Sequence, residues 1–147
     1  MENKETVFSK EVTISAAPSK VWETLTDLTL IKQWMSETEI EVLTDWKVGS
    51  PMIIRGPWYK SYFENTGSIL AFEPQHLLKY SHLSSLSRLP DKPESYTDIG
   101  FTLTPDGDKT ILALSINNFP TETIYKHLAF YWNVTLELLK KFIEGLS

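Results

Sequence analysis

The sequence has 147 residues, which is enough for one domain with a substantial core and room for a cavity inside it. Its 14 basic and 19 acidic side chains give a formal charge of -5, and the basic residues are scattered, which argues against a nucleic-acid-binding surface. It contains no cysteine, which excludes disulfides, thiolate nucleophiles and sulfur-ligated zinc.

The first part of the chain predicts one strand followed by two short helices. Residues 6–14 alternate between apolar and polar side chains and end at a turn-prone SAAPS segment, which is typical of a strand. Pro18 suits the first turn of a helix, so we expect a helix at 20–27 and a second short helix at 28–35.

The middle of the chain predicts six further strands. From Thr38 onward the apolar residues recur with a period close to two, and the segments between them are rich in glycine, proline and aspartate. The predicted strands are 39–43, 51–56, 60–72, 77–83, 95–103 and 110–118. Because the connections are short, consecutive strands are expected to be antiparallel.

Residues 120–146 predict one long amphipathic helix, roughly 36 Å in length at about 1.5 Å per residue. Thr121 or Thr123 is the expected N-cap, and Gly145 the expected end. The expected inward side carries Ile124, Leu128, Tyr131, Thr135, Leu138, Leu139, Phe142 and Leu146. A face this wide needs a large apolar partner, so we expect an α+β fold in which a curled seven-stranded antiparallel sheet wraps the helix and leaves space between them.

Several segments together carry a resemblance to a known family. They are 16–35 (AAPSKVWETLTDLTLIKQWM), the turn at 48–50, 67–80 (GSILAFEPQHLLKY), the strand that begins at Thr110 after a PDGD turn, and 125–139 (YKHLAFYWNVTLELL). In this order they resemble the START-like, helix-grip superfamily, and within it the branch named for the activator of the heat-shock-protein-90 ATPase. The resemblance implies a sheet that grips a C-terminal helix, with a cavity that in many members holds a lipid, sterol, polyketide or other apolar molecule.

That superfamily includes binders, cyclases, hydrolases and co-chaperone domains, so its fold does not fix the function. Two departures bear on the choice. The eukaryotic co-chaperone has a separate N-terminal domain for which these 147 residues leave no room, which weakens the expectation of chaperone activation. Ile116 also stands where related sequences often have a histidine, which removes a polar contact from that strand.

The ligand-binding candidates are residues expected to line the cavity: Trp34, Met52, Ile54, Tyr62, Glu64, Tyr80, His82, Leu114, Ile116, Leu128, Tyr131 and Thr135. Trp34 is placed near the cavity mouth by the resemblance. Leu114 and Ile116 also fit ordinary core positions. A buried hydroxyl without a partner is costly, so those of Tyr131 and Thr135 either find internal partners or face a ligand.

The orientation of two strand faces stays open from sequence alone. Tyr80 and His82 share a face with Leu78, which favours an inward position, whereas Tyr62 and Glu64 share a face that fits the interior or solvent. If Glu64 and His82 both point inward, they supply a carboxylate and an imidazole that could act as acid and base.

Arg55 fits a surface salt bridge better than a ligand contact, and His127 fits the edge of the helix face. The three histidines lack metal-ligand spacing, and the sequence contains neither a nucleophile-elbow pattern nor a glycine-rich phosphate loop. We therefore predict no metal, no catalytic residue and no cofactor.

The sequence predicts non-catalytic binding of a small hydrophobic or amphipathic ligand. The alternatives are a chaperone-regulating interaction module, and a cyclase-like or hydrolase-like enzyme that uses His82 with Glu64 or Tyr131. A homodimer is left open. No apolar run approaches the roughly 18 to 20 residues that span a bilayer, and residues 1–11 lack the apolar core of a signal peptide, so we expect no membrane span and a cytoplasmic location.

Overall fold

The computed structural model describes residues 6–36 and 38–145. In chain order it contains strand β1 (Phe8–Ile14), helices α1 (Pro18–Thr26) and α2 (Leu28–Trp34), strands β2 (Glu41–Leu43), β3 (Pro51–Trp58), β4 (Ser61–Glu73), β5 (Leu77–Ser84), β6 (Thr97–Asp106) and β7 (Lys109–Asn117), and helix α3 (Glu122–Gly145). Single turns of 3-10 helix, Ser85–Ser87 and Pro93–Ser95, lie between β5 and β6. The predicted α+β class and element order are confirmed.

The seven strands form one antiparallel sheet in the order β1-β7-β6-β5-β4-β3-β2. The meander from β2 to β7 places each strand beside the one before it, and β1 closes the far edge by pairing with β7, Ile14 lying opposite Thr110. The sheet curves around α3, as the resemblance to helix-grip proteins implies.

Local sequence features account for the helix starts. Pro18 occupies the first turn of α1, where its missing N–H costs nothing. Asp27 caps α2, its Oδ1 accepting from the backbone amides of Thr29 at 2.8 Å and Leu30 at 3.0 Å. Ahead of α3, the Thr121 hydroxyl oxygen accepts from the amide of Ile124 at 3.2 Å, so Thr121 rather than Thr123 provides the cap.

Some predicted boundaries differ from the structure. The strand expected from residue 95 begins at Thr97, because Pro93–Ser95 form a 3-10 turn first. The strand expected from 39 begins at Glu41, and α3 begins at Glu122 rather than 120. The predicted helix end at Leu146 lies outside the described residues.

The buried side of α3 is rotated relative to the predicted one. Its buried residues are Leu128, Trp132, Thr135, Leu136, Leu139 and Ile143. The prediction that Leu138 points inward is wrong, since its side chain is 46% exposed. Leu138 lies two residues, about 200° around the axis, from the fully buried Leu136, so both cannot face the sheet.

The inner face of the sheet, which is the face toward α3, supplies most of the core. Its buried side chains from β3 and β5 to β7 are Met52, Ile54, Leu78, Tyr80, Thr97, Ile99, Phe101, Leu103, Thr110, Leu112, Leu114 and Ile116. Within β4 the pairing register shifts between Ile69, which lies opposite Tyr80, and Phe72, which lies opposite Leu78. Leu70 sits at this bulge, so the alternation of inward and outward side chains is offset by one residue across it.

Candidate functional site

Polar side chains gather on the inner face where β4 and β5 lie side by side. Tyr80 and His82 alternate with Leu78 on β5, and Tyr80 lies opposite Ile69 and Ile99, which are both buried. Counting by twos from Ile69 along β4 brings Asn65 to the same face. The predicted inward orientation of Tyr80 and His82 is therefore confirmed.

Helix α3 contributes two hydroxyl groups from the opposite side. The Tyr131 hydroxyl donates to the backbone carbonyl of Met35, just after α2, and Thr135 hydrogen-bonds to Tyr131. Thr135 is buried and Tyr131 is partly buried. Both hydroxyls therefore have hydrogen-bond partners within the protein, and neither needs a ligand to satisfy it.

Burial keeps these groups uncharged. Burial raises the pKa of Tyr80 well above its usual range, and raises that of Tyr131 to about 12 despite the hydrogen bond from Thr135. The pKa of His82 is lowered to about 4, mainly by burial and also by repulsion from His127 on α3. The imidazole of His82 is therefore neutral at pH 7.

Asn65 is the residue of this group whose side chain has a buried polar atom without a hydrogen-bond partner. Its Oδ1 is shielded from solvent and has no hydrogen-bond partner among residues 6–36 and 38–145. A buried acceptor without a partner costs about 1–3 kcal/mol. Retaining such an atom on an inner face that is mostly apolar calls for a group that can pair with it.

Aromatic and aliphatic side chains close the rest of the space between the sheet and α3. Trp132 packs against Trp34 from α2, with ring centroids 6.3 Å apart, and against Phe101 from β6 at 5.5 Å. The Trp34 indole donates to the Thr24 carbonyl at 3.0 Å. Among the predicted lining residues, Met52, Ile54, Leu114, Ile116 and Leu128 are buried within this packing. The interior is thus packed rather than hollow at the level of Trp132.

Two open concavities on the described surface lie away from α3. One of about 200 Å³ lies between α2 and β2, beside Leu28 and Glu41. Another of about 440 Å³ lies beside Ser68, Ser81 and Tyr96. Neither is lined by α3, so neither is the cavity expected from the resemblance.

Two predicted site residues lie on the outer face. Tyr62 is 60% exposed, and Glu64 forms an ion pair with Arg55, whose Nη1 lies 3.6 Å from Glu64 Oε2. The placement of Tyr62 and Glu64 inside the fold is therefore wrong, whereas the surface salt bridge expected of Arg55 is confirmed. His82 and Glu64 lie on opposite faces of the sheet, so they cannot act together as acid and base.

Sequence reasoning missed Asn65. The pattern Phe63, Asn65, Gly67, Ile69 alternates correctly for an inward face, and it could have been recognised by anchoring the count at Ile69. The bulge at Leu70 hides this, because a count from Phe72 selects the other face.

No group of three or more His, Asp or Glu side chains in residues 6–36 and 38–145 is arranged to hold a metal ion. In those same ranges, none of the helices combines the length and the apolar character needed to cross a bilayer.

The chain matches a family model over most of its length. Residues 15–144 match a family model described as Activator of Hsp90 ATPase homolog 1-like protein. No curated protein matches the chain.

Solved structures share this fold. The solution structure of ChR145 from Cytophaga hutchinsonii is 36% identical over 97% of both chains, with a TM-score of 0.82. The Aha1 dimer from Colwellia psychrerythraea is 20% identical, with 95% of this chain and 96% of that chain covered and a TM-score of 0.74. CalU16 from Micromonospora echinospora is 24% identical, with 93% and 75% covered and a TM-score of 0.72. The last two are similar in fold alone.

Proposed function

This chain belongs to the family of proteins like the activator of Hsp90 ATPase homolog 1, and from that premise we propose that it binds a small hydrophobic or amphipathic molecule between the sheet and α3. The binding is not coupled to a reaction, and the protein works in the cytoplasm. The proposed site is the end of the inner face that carries Asn65, Tyr80 and His82 from the sheet and Tyr131 from α3.

The unpartnered Oδ1 of Asn65 carries this proposal, taken among the described residues. It is a polar atom held against apolar surface, and a ligand group is the simplest source of the missing hydrogen bond. The apolar wall next to it is formed by Ile54, which lies directly opposite Asn65 on β3, and by Ile69 on the same face of β4, both of them buried.

Binding requires part of this packing to move, because aromatic side chains fill the space between the sheet and α3 at the level of Trp132. From Asn133 onward α3 is tied to β1 by Lys10, whose Nζ donates to the Asn133 carbonyl at 2.9 Å and pairs with Glu137 at 3.0 Å. The first half is held by the hydrogen bond from Tyr131 to the Met35 carbonyl. We propose that the ligand is admitted by displacement of this first half.

Native mass spectrometry of freshly purified protein, followed by solvent extraction, tests the proposal together with titration of the neutral dye Nile red. We expect saturable binding of one dye molecule per chain. Asn65→Phe should block it by filling the inner face, whereas the matched Asn117→Phe on the outer face of β7 should not. Absence of both a co-purified molecule and saturable dye binding would falsify the proposal.

Chaperone regulation is the second candidate, and a surface feature favours it. At the turn between β3 and β4, Trp58, Tyr59 and Tyr62 are 45%, 90% and 60% exposed. Exposed aromatic side chains of this kind are common at protein interfaces. Equimolar addition of the protein should then change the ATPase rate of an Hsp90-type chaperone, and Trp58→Ser with Tyr59→Ser should remove the change. An unaltered rate with the unmodified protein rules this candidate out.

The same native mass spectra also report the oligomeric state of the protein. The related Aha1 protein from Colwellia psychrerythraea is a dimer in solution. We propose a homodimer as one state of this chain, and the native mass spectrum would show it as a two-chain species.

A further inference from the structure

We infer, resting on the proposed binding function, that the ligand has an uncharged head group with a hydroxyl, as in a long-chain alcohol, and that fatty acids and other anionic lipids are rejected. The inference follows from which charges the fold turns inward and from the chemistry of the Asn65 amide.

The inner face has almost no charge over the part of the chain that the structure describes. Lys10 on β1 is the charged side chain that alternates inward with Val12 and Ile14, and it lies at the edge of the sheet. It is already engaged by Asn133 and Glu137. Arg55, on the neighbouring strand β3, points outward and pairs with Glu41 and Glu64.

The buried side chains of the helices add no charge to this space. The buried side chains of α1 and α2 are Val21, Trp22, Thr24, Leu25, Ile31 and Trp34, and those of α3 are likewise apolar or hydroxylated. His82 is neutral at pH 7 because burial lowers its pKa to about 4. A carboxylate or phosphate placed here would lose its hydration without gaining a cation, which is strongly unfavourable.

A hydroxyl matches the groups that are present. A primary amide offers an acceptor and donors, and a neutral imidazole offers one of each. A hydroxyl can donate to the Asn65 Oδ1 and accept from a neighbouring N–H, so it can satisfy the buried acceptor without bringing a charge. An alkane would leave that acceptor unpaired, so it should bind less tightly than the alcohol of the same chain length.

Three probes with the same ten-carbon chain test the inference at pH 7.5: 1-decanol, decanoate and decyltrimethylammonium, titrated into ¹⁵N-labelled protein and followed by amide shifts. We expect 1-decanol to bind at least tenfold more tightly than either ion, with shifts centred on Asn65 and His82. Equal or tighter binding of decanoate overturns the head-group inference while leaving the site intact. If none of the probes binds and Nile red also fails to bind, the proposed function itself fails, and the inference fails with it.

Matched variants localise the effect. Asn65→Val should weaken the binding of 1-decanol by at least about threefold, because the amide is lost while the apolar wall remains, and decanoate should stay excluded because no cation is gained. Asn117→Val makes the same substitution on the outer face of β7 and should retain the preference for the alcohol. An affinity for 1-decanol that is unchanged in Asn65→Val overturns the role given to this amide.

Discussion

Replacing Asn65 by valine should stabilise the ligand-free protein. The shielded Oδ1 has no partner among the described residues, and such an acceptor costs about 1–3 kcal/mol. Valine removes the polar atom, fits a pleated strand and is close to asparagine in size. Allowing for imperfect packing, we expect a gain of about 1–2 kcal/mol, which corresponds to roughly 3–6 °C in Tm for a domain of this size.

Urea and thermal unfolding of delipidated protein measure this gain, and Asn117→Val provides the control. Asn117 is also on a strand but faces outward, so its substitution reports the general preference of strands for valine over asparagine. The difference between the two variants isolates the cost of the buried acceptor. If Asn65→Val gains no more than Asn117→Val, the Oδ1 is satisfied and the reasoning is wrong. Saturating 1-decanol should narrow the difference in stability between Asn65→Val and the unmodified protein, because the alcohol stabilises the unmodified protein by mass action.

Three further predictions concern stability. Gly67→Ala should lower the free energy of unfolding in urea by more than about 2 kcal/mol, because an added Cβ would lie 1.7 Å from the Ser81 carbonyl oxygen. Gly100→Ala is the control, since the atom nearest to its added Cβ is 3.6 Å away. A similar loss of stability in both variants would contradict this prediction. The free energy of unfolding should fall by up to about 3 kcal/mol as the pH is lowered from 6.5 to 4. The reason is that the pKa of His82 is about 4 in the folded protein, so the unfolded chain takes up the proton at a higher pH. His82→Gln should flatten this dependence of stability on pH. Thr110→Val should cost about 1–2 kcal/mol by removing the partly buried 2.8 Å hydrogen bond from the Thr110 hydroxyl to the Ala16 carbonyl, and an unchanged urea midpoint would count against it.

The fold was predictable because its signals are local. Each strand alternates over six or more residues in most cases, Pro18 and Asp27 mark the helix starts, and short turns force antiparallel neighbours. The rotation of α3 was harder to predict. Its sequence is apolar on several sides, and Leu138 and Leu139 both suit a core by composition. Packing decides between them, because the sheet can cover only one stripe of the helix.

The candidate site was only partly predictable, and β4 shows why. Phe72 and Ile69 both face inward, yet they are three residues apart, which an uninterrupted strand forbids. Counting back by twos from Phe72 puts Tyr62 and Glu64 inside, whereas counting from Ile69 puts Asn65 there. A bulge is set by the pairing of two strands, so the β4 sequence taken alone cannot reveal it.

The outer charges explain how this register is held. Across β2, β3 and β4, Glu41, Arg55 and Glu64 form a row, with Arg55 opposite both acids. Exposed ion pairs of this kind contribute only about 0–1 kcal/mol each. A one-residue slip of β3 and β4, however, would turn Arg55 and Glu64 into the packed interior, at a cost of several kcal/mol. The row therefore acts mainly by excluding the wrong register. Cross-strand partners share a face of the sheet, and side chains alternate between faces along each strand. The register that keeps Arg55 and Glu64 in solvent therefore also turns Ile54 and Asn65 inward. The outward position of the Arg55 cation and the inward position of the Asn65 amide thus have one structural cause.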